Sequence, residues 1–200
     1  MDNERHNRSA VEASRVAFTG RIFAVAVDRV RLPHGTTVEM EVVRHPVSVI
    51  LIPVDSEGRI ILVRQYRYAV DRWLWELPAG SVDAGETPET AATRECAEEI
   101  RRRPGSLHEL GSLYPSPGYC DELMVFFRLK DLRELGPTDP EAHVDPDEDL
   151  EVRHFTVDQI RDLIERGEIQ DMKTIVGFGL WTLGFGPSRP EVEKGQKPNA

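Results

Sequence analysis

Apolar and polar residues alternate over residues 15–45. Ile22, Ala24, Ala26 and Val30 precede a Leu32-Pro33-His34-Gly35 turn, and Val38-Glu39-Met40-Glu41-Val42 follows it. A period of two around a Pro/Gly turn predicts an antiparallel hairpin or meander. Residues 47–54 and 60–63 are apolar, β-branched runs joined by Asp55-Ser56-Glu57-Gly58, which predicts a central hairpin buried on both faces. Residues 73–77 form a short strand ending at Pro78-Ala79-Gly80. A helix is expected to start at Thr87, where threonine suits the N-cap and Pro88 the first helical position, and to end before Pro104-Gly105. Further strands are expected over 111–114, over 123–129 and near 152–155. A helix capped by Thr156 spans 157–166, and a last helix spans 171–183.

The run 174–188 carries no charge but is shorter than the roughly 20 residues of a membrane span and is laced with glycine, so it reads as a buried helix. Residues 1–14 and 187–200 are polar and read as disordered. Strands first, helices interspersed and no regular βαβ repeat predict an α/β fold, a mixed sheet sandwiched between helices with an N-terminal antiparallel extension.

Two hundred residues suit one domain of ordinary size, here assigned to 46–186 behind the extension at 15–45. The formal net charge of −10 argues against a nucleic-acid partner, because affinity for a phosphate backbone rests on clustered Lys and Arg. An acidic protein that handles phosphates needs a local device against its own field, and divalent cations supply one. Cys96 and Cys120 form no CxxC pair, which fits a reducing cytoplasm rather than a disulfide framework. No secretory signal and no membrane span are expected.

The segment that carries chemistry runs from Gly80 through Glu86 and Arg94-Glu95 to Glu98-Glu99. On a helix, Glu95, Glu98 and Glu99 fall within one arc, since neighbours three and four apart share a face. Ala92, Cys96 and Ile100 form an adjacent apolar stripe that packs on the sheet. Three carboxylates so spaced repel one another unless a cation sits among them, and hard oxygen ligands suit Mg²⁺. An isolated run of this kind is more often a solvated acidic face; the glycine, glutamate and arginine at fixed offsets around it change the odds.

Residues 80–102 resemble the signature of the Nudix hydrolase family, a Gly followed at set spacing by Glu, Arg-Glu and Glu-Glu. The resemblance implies that Glu95, Glu98 and Glu99 bind catalytic magnesium, with Mn²⁺ as the alternative ion. It makes Arg94 a brace for a glutamate and Gly80 the residue of a tight turn, and it adds the Ala79 carbonyl as a metal ligand. The family pattern expects Gly where Arg101 stands and an aliphatic residue at Arg102. Outside this box, Glu41-Val-Val-Arg44-His45, Val63-Arg64-Gln65-Tyr66-Arg67, Trp75-Glu76-Leu77-Pro78-Ala79-Gly80 and Ser116-Pro117-Gly118-Tyr119-Cys120-Asp121-Glu122 resemble the ADP-ribose pyrophosphatase-like subgroup. Similar phrases occur in relatives that cleave GDP-mannose.

That resemblance implies Mg²⁺-dependent hydrolysis of a nucleoside diphosphate sugar, with ADP-ribose cut to AMP and ribose 5-phosphate. Arg44 and Arg67 are candidates for the diphosphate, because a guanidinium fork matches phosphate oxygens. Glu76 is implied as a substrate contact. Glu122 is the candidate base for the attacking water, with Glu148 of the acidic stretch 141–151 as its rival. The N-terminal extension is implied to build a homodimer. A non-catalytic nucleotide sensor is the alternative from another class, and the complete glutamate set argues against it.

Overall fold

The computed structural model describes residues 9–136, 139 and 150–184. Strands β1 (Ala10–Thr19), β2 (Ala24–Arg31) and β3 (Thr37–Arg44) form an antiparallel meander with β2 in the middle. The disorder expected for residues 1–14 fails at Ala10, where β1 begins. All ten residues of β1 are exposed, and its register with β2 shifts at Val11–Ala13 and at Val16–Phe18, so no steady period of two announces it. Main-chain pairing with β2, together with the bond from Ser14 Oγ to buried Asp28 and the pair between Arg31 and Glu12, holds it. Residues 1–8 and 185–200 lie outside the described residues, as does Glu148.

β4 (Ser48–Pro53) and β5 (Ile60–Arg67) follow. They meet across the Asp55–Gly58 turn at a single bridge, Val54 with Ile60, and then diverge into different sheets. The central hairpin expected from sequence is therefore only its turn. The reason is that both edges of β4 are taken by other strands, so β5 pairs elsewhere.

β6 (Arg72–Glu76), β7 (Ala79–Ser81), helix α1 (Pro88–Ile100), β8 (Arg102–Arg103), β9 (Ser106–Leu113), β10 (Met124–Lys130), β11 (Arg133–Glu134), β12 (Glu151–Phe155), α2 (Val157–Glu165) and α3 (Met172–Thr182) complete the chain. One sheet has the order β7-β4-β10-β9, mixed because β4 and β10 run parallel while the other pairs are antiparallel. A second sheet has the order β12-β5-β6.

Every residue of β4 is buried. Val49 and Leu51 pack with Ala92, Cys96 and Ile100 of α1 on one face. Ile50 and Ile52 pack with Ile160 and Leu163 of α2 and with α3 on the other. This is the expected α/β/α sandwich, and burial of such side chains contributes roughly 1.5–3 kcal/mol each. The last helix is less buried than expected: only Thr174 and Gly177 of α3 are fully covered, and its remaining apolar side chains lie half-exposed or at the surface. Thr174 accepts the Leu77 N–H through its hydroxyl, and the missing side chain of Gly177 admits Leu77, whose Cδ1 lies 2.5 Å from where a Cβ would stand.

Candidate active site

Helix α1 begins where the sequence predicts. The Thr87 hydroxyl accepts from the Thr90 N–H, and Pro88 opens the first turn. It ends at Arg101, a left-handed residue with φ 54°, a conformation that suits glycine and explains the glycine expected there.

The helix lies along β7. Leu51 N–H donates to the Pro78 carbonyl and Val82 N–H to the Val47 carbonyl, so hydrogen-bonded pairs alternate along this ladder. Ala79 occupies the intervening position. Its N–H and carbonyl therefore face away from β4, off the free edge of the sheet, and the N–H donates to Glu99 Oε2 at 3.2 Å.

Gly80 is next, and its role is not a tight turn. Its φ lies outside the left-handed region, but a Cβ there would stand 1.9 Å from Glu95 Oε1. The residue is glycine because the Glu95 carboxylate occupies the space of a side chain. Glu95 and Glu99 are both buried, whereas the Glu98 side chain is 30% exposed. Arg94 binds this group: Nη1 donates to Glu95 at 2.7 Å and Glu98 at 2.8 Å, Nε to Glu86 at 3.1 Å, and Nη2 to the Ser81 carbonyl at 2.9 Å. The same arginine holds the Glu86 carboxyl below its ordinary pKa, against the upward push of burial. Among the described residues no three His, Cys, Asp or Glu side chains converge as a ready-made ion site. Arg94 Nη1 instead joins Glu95 and Glu98, while Glu99 accepts from the Ala79 N–H.

The donors here are all oxygens, three carboxylates and an edge carbonyl. That set fits a hard divalent cation and would suit neither a soft metal nor a cluster.

Near Glu99 lies a charge network built around one buried carboxylate. Glu76 is 1% exposed and accepts from Arg67 Nε at 2.8 Å and Nη2 at 2.7 Å. Lys173, at the first turn of α3, contacts its Oε2 and lies 3.1 Å from Asp171. Burial pushes the Glu76 carboxyl up, but Arg67 and Lys173 together carry it below its ordinary value. Glu76 is thus engaged by protein cations, and the Arg67 fork, pinned through two nitrogens, presents its third. The bond to Glu76 is what chiefly raises the Arg67 guanidinium's pKa, against burial, and the charge of Glu99 adds to the rise.

A third cluster joins the N-terminal sheet to the loop before β10. Arg44 donates to Asp121 at 2.9 Å and pairs with Asp28. The Asp121 carboxylate also accepts the His45 N–H at 2.9 Å. Val43 exchanges main-chain bonds with Tyr119 and Asp121, fixing the loop to the end of β3. Glu122 accepts the Ser48 hydroxyl at 2.6 Å, and His45 Nδ1 lies 3.7 Å away.

A family model described as NUDIX domain matches residues 44–175. The chain belongs to the NUDIX family. Hydrolases of this family generally use divalent metal ions. The chain is 37% identical to the ADP-ribose pyrophosphatase of Mycobacterium tuberculosis (strain ATCC 25618 / H37Rv), over 94% of this chain and 92% of that one. It is 35% identical to the ADP-ribose pyrophosphatase of Bacillus subtilis (strain 168), over 81% and 86%. A crystal structure of an ADP compounds hydrolase superposes with a TM-score of 0.74 at 21% identity, covering 88% of this chain and 95% of that one, a likeness of fold.

Within the NUDIX domain, the structure brings Ala79, Glu95, Glu98, Glu99 and Arg94 together at β7 and α1, with Arg67 and Glu76 alongside. Arg44 and Glu122 belong to the cluster at the end of β3. Trp75 packs edge-on against Phe155 at 5.0 Å, while Tyr68 and Tyr119 are exposed. Sequence reasoning gave no role to Lys173, Asp28, Asp121, His45 or Ser48. His45 and Asp121 stood in the segments that resemble the subgroup, and Ser48 was the one hydroxyl heading an otherwise apolar strand. No helix among the described residues is long and apolar enough to cross a membrane.

Proposed function

We propose that this NUDIX enzyme hydrolyses the pyrophosphate of a nucleoside diphosphate sugar, with ADP-ribose as the preferred substrate and Mg²⁺ as the ion, releasing AMP and ribose 5-phosphate. The observation that carries the reading is the oxygen cluster at β7, where Glu99 meets the edge amide of Ala79 and Glu95 fills the space of the Gly80 side chain. The relatives named ADP-ribose pyrophosphatase support the substrate.

Glu95, Glu98, Glu99 and the Ala79 carbonyl would hold the ion. Bound there, Mg²⁺ supplies charge neutralisation on the diphosphate oxygens and acidifies water. Arg94 orients Glu95 and Glu98. Arg67, aimed by Glu76, takes a phosphate oxygen through its remaining nitrogen, and Arg44, held by Asp28 and Asp121, adds a second positive charge beside the loop for the diphosphate. Glu122 accepts the proton of the attacking water.

A hydrolysis panel of ADP-ribose, GDP-mannose and other sugar nucleotides tests the substrate. ADP-ribose is expected to show the highest kcat/KM, and a higher value for GDP-mannose overturns the preference.

The N-terminal sheet, assigned here to dimerisation ahead of a catalytic unit over 46–186, exposes Val11, Val16, Phe18, Ile22 and Phe23. Such an apolar surface suits a second copy of the chain. Sedimentation is expected to give a homodimer, and Phe18→Asp with Val16→Asp a monomer; a monomeric wild type refutes the assignment. Neither cysteine is disulfide-bonded, which accords with a cytoplasmic location.

A further inference from the structure

We infer that Ser48 is a positioning residue for the reaction, holding the Glu122 carboxylate so that one oxygen is free to take the water's proton. This rests on the assignment of Glu122 as base.

Strand β4 is buried from end to end, and Ser48 is its only hydroxyl. A buried hydroxyl without a partner is costly, so such a residue persists in a core strand only when something claims its hydrogen. Here the claimant is Glu122 Oε1, which accepts from Ser48 Oγ at 2.6 Å. The two residues are remote in sequence, and the main chain brings them together: Ser48 N–H donates to the Leu123 carbonyl at 2.9 Å, and Ser48 stands in register with Met124 at the start of β10. The backbone fixes where the Glu122 Cα sits, and the hydroxyl fixes where its carboxylate points.

A serine hydroxyl can serve one carboxylate oxygen only. Oε1 takes that bond, and among the described residues no hydrogen bond goes to Oε2. His45, 3.7 Å from Oε1, lies on the occupied side, so the two neighbours leave the same oxygen available. A long, otherwise rotatable glutamate on a loop is restricted to one useful rotamer. That is the kind of restraint a proton acceptor needs, since transfer falls off once the heavy atoms leave hydrogen-bond reach.

The two functions of Ser48 separate cleanly. Ser48→Ala removes the hydroxyl and keeps the main-chain bond to Leu123, so the register of β4 and β10 is retained. Ser48→Thr restores a hydroxyl on the same backbone.

The test is a mutant cycle with ADP-ribose and Mg²⁺, with thermal melts confirming that each variant is folded. Ser48→Ala is expected to lower kcat about tenfold, the equivalent of one oriented hydrogen bond, with KM changed less than about twofold. Ser48→Thr recovers most of that loss. In a Glu122→Gln background, Ser48→Ala adds nothing, because the carboxylate it orients is gone. Wild-type kcat for Ser48→Ala beside an impaired Glu122→Gln overturns the positioning role and leaves the base standing. A Ser48→Ala loss that persists in full in the Glu122→Gln background also overturns it, as does one that threonine fails to rescue. Wild-type kcat for Glu122→Gln itself removes the base, and with it the reading of Ser48.

Discussion

Glu99→Gln is expected to lower kcat for ADP-ribose by roughly a thousandfold or more, about 4 kcal/mol of barrier, while the melting temperature stays near that of the wild type. Glutamine keeps the shape of the side chain and an oxygen that accepts the Ala79 N–H, the bond observed at 3.2 Å. What it loses is the negative charge. A buried carboxylate at the free edge of β7, beside an edge carbonyl and two further glutamates, is suited to a divalent cation, and an amide at that point binds one far more weakly. Steady-state kinetics with a melt as control decides it. Wild-type turnover takes Glu99 out of the chemistry.

Gly80→Ala separates activity from stability in a different way. The new methyl would stand 1.9 Å from Glu95 Oε1 and 2.0 Å from its carboxyl carbon, far inside the roughly 3.5–4 Å of ordinary contact. Those atoms end a flexible side chain, so the helix need not move; the carboxylate turns away. It then loses its 2.7 Å bond from Arg94 and its place beside the edge of β7. The cost to folding is expected to be about 1–2 kcal/mol, a few degrees in melting temperature, whereas kcat/KM falls at least about a hundredfold. If Gly80→Ala retains full activity, the position of Glu95 against β7 has no bearing on catalysis.

The parts of this site that could be read along the chain are those fixed by local spacing. Glu95, Glu98 and Glu99 share a face because a helix brings residues three and four apart together, and Thr87-Pro88 sets where that helix starts. Gly80 was visible as a glycine but not for its reason, because its neighbour Glu95 arrives from a later element. The start of β1, residues 10–14, escaped notice since its register with β2 shifts between Val11 and Ala13, which breaks the period of two. The β4–β5 turn was legible from Asp55 to Gly58, yet the choice of pairing partners beyond it depends on β7 and β10, which no local window contains.

The charged networks were the least legible. Arg67 and Glu76 were each singled out for the substrate, while the structure pairs them with one another. Their third member, Lys173, is nearly a hundred positions from Glu76 along the chain. Arg44 is likewise engaged by Asp28 and Asp121. A guanidinium read as free in sequence is in both cases an oriented one. Arg101 shows the converse, a departure from the family pattern that the fold accepts at the expense of a left-handed arginine.

Product analysis of ADP-ribose incubated with the wild-type protein, in Mg²⁺ and again after chelation, tests the central assignment most directly. Equal amounts of AMP and ribose 5-phosphate are expected, with turnover abolished by the chelator and restored by returning Mg²⁺. Intact ADP-ribose and intact sugar nucleotides after prolonged incubation, or cleavage indifferent to the chelator, would contradict it.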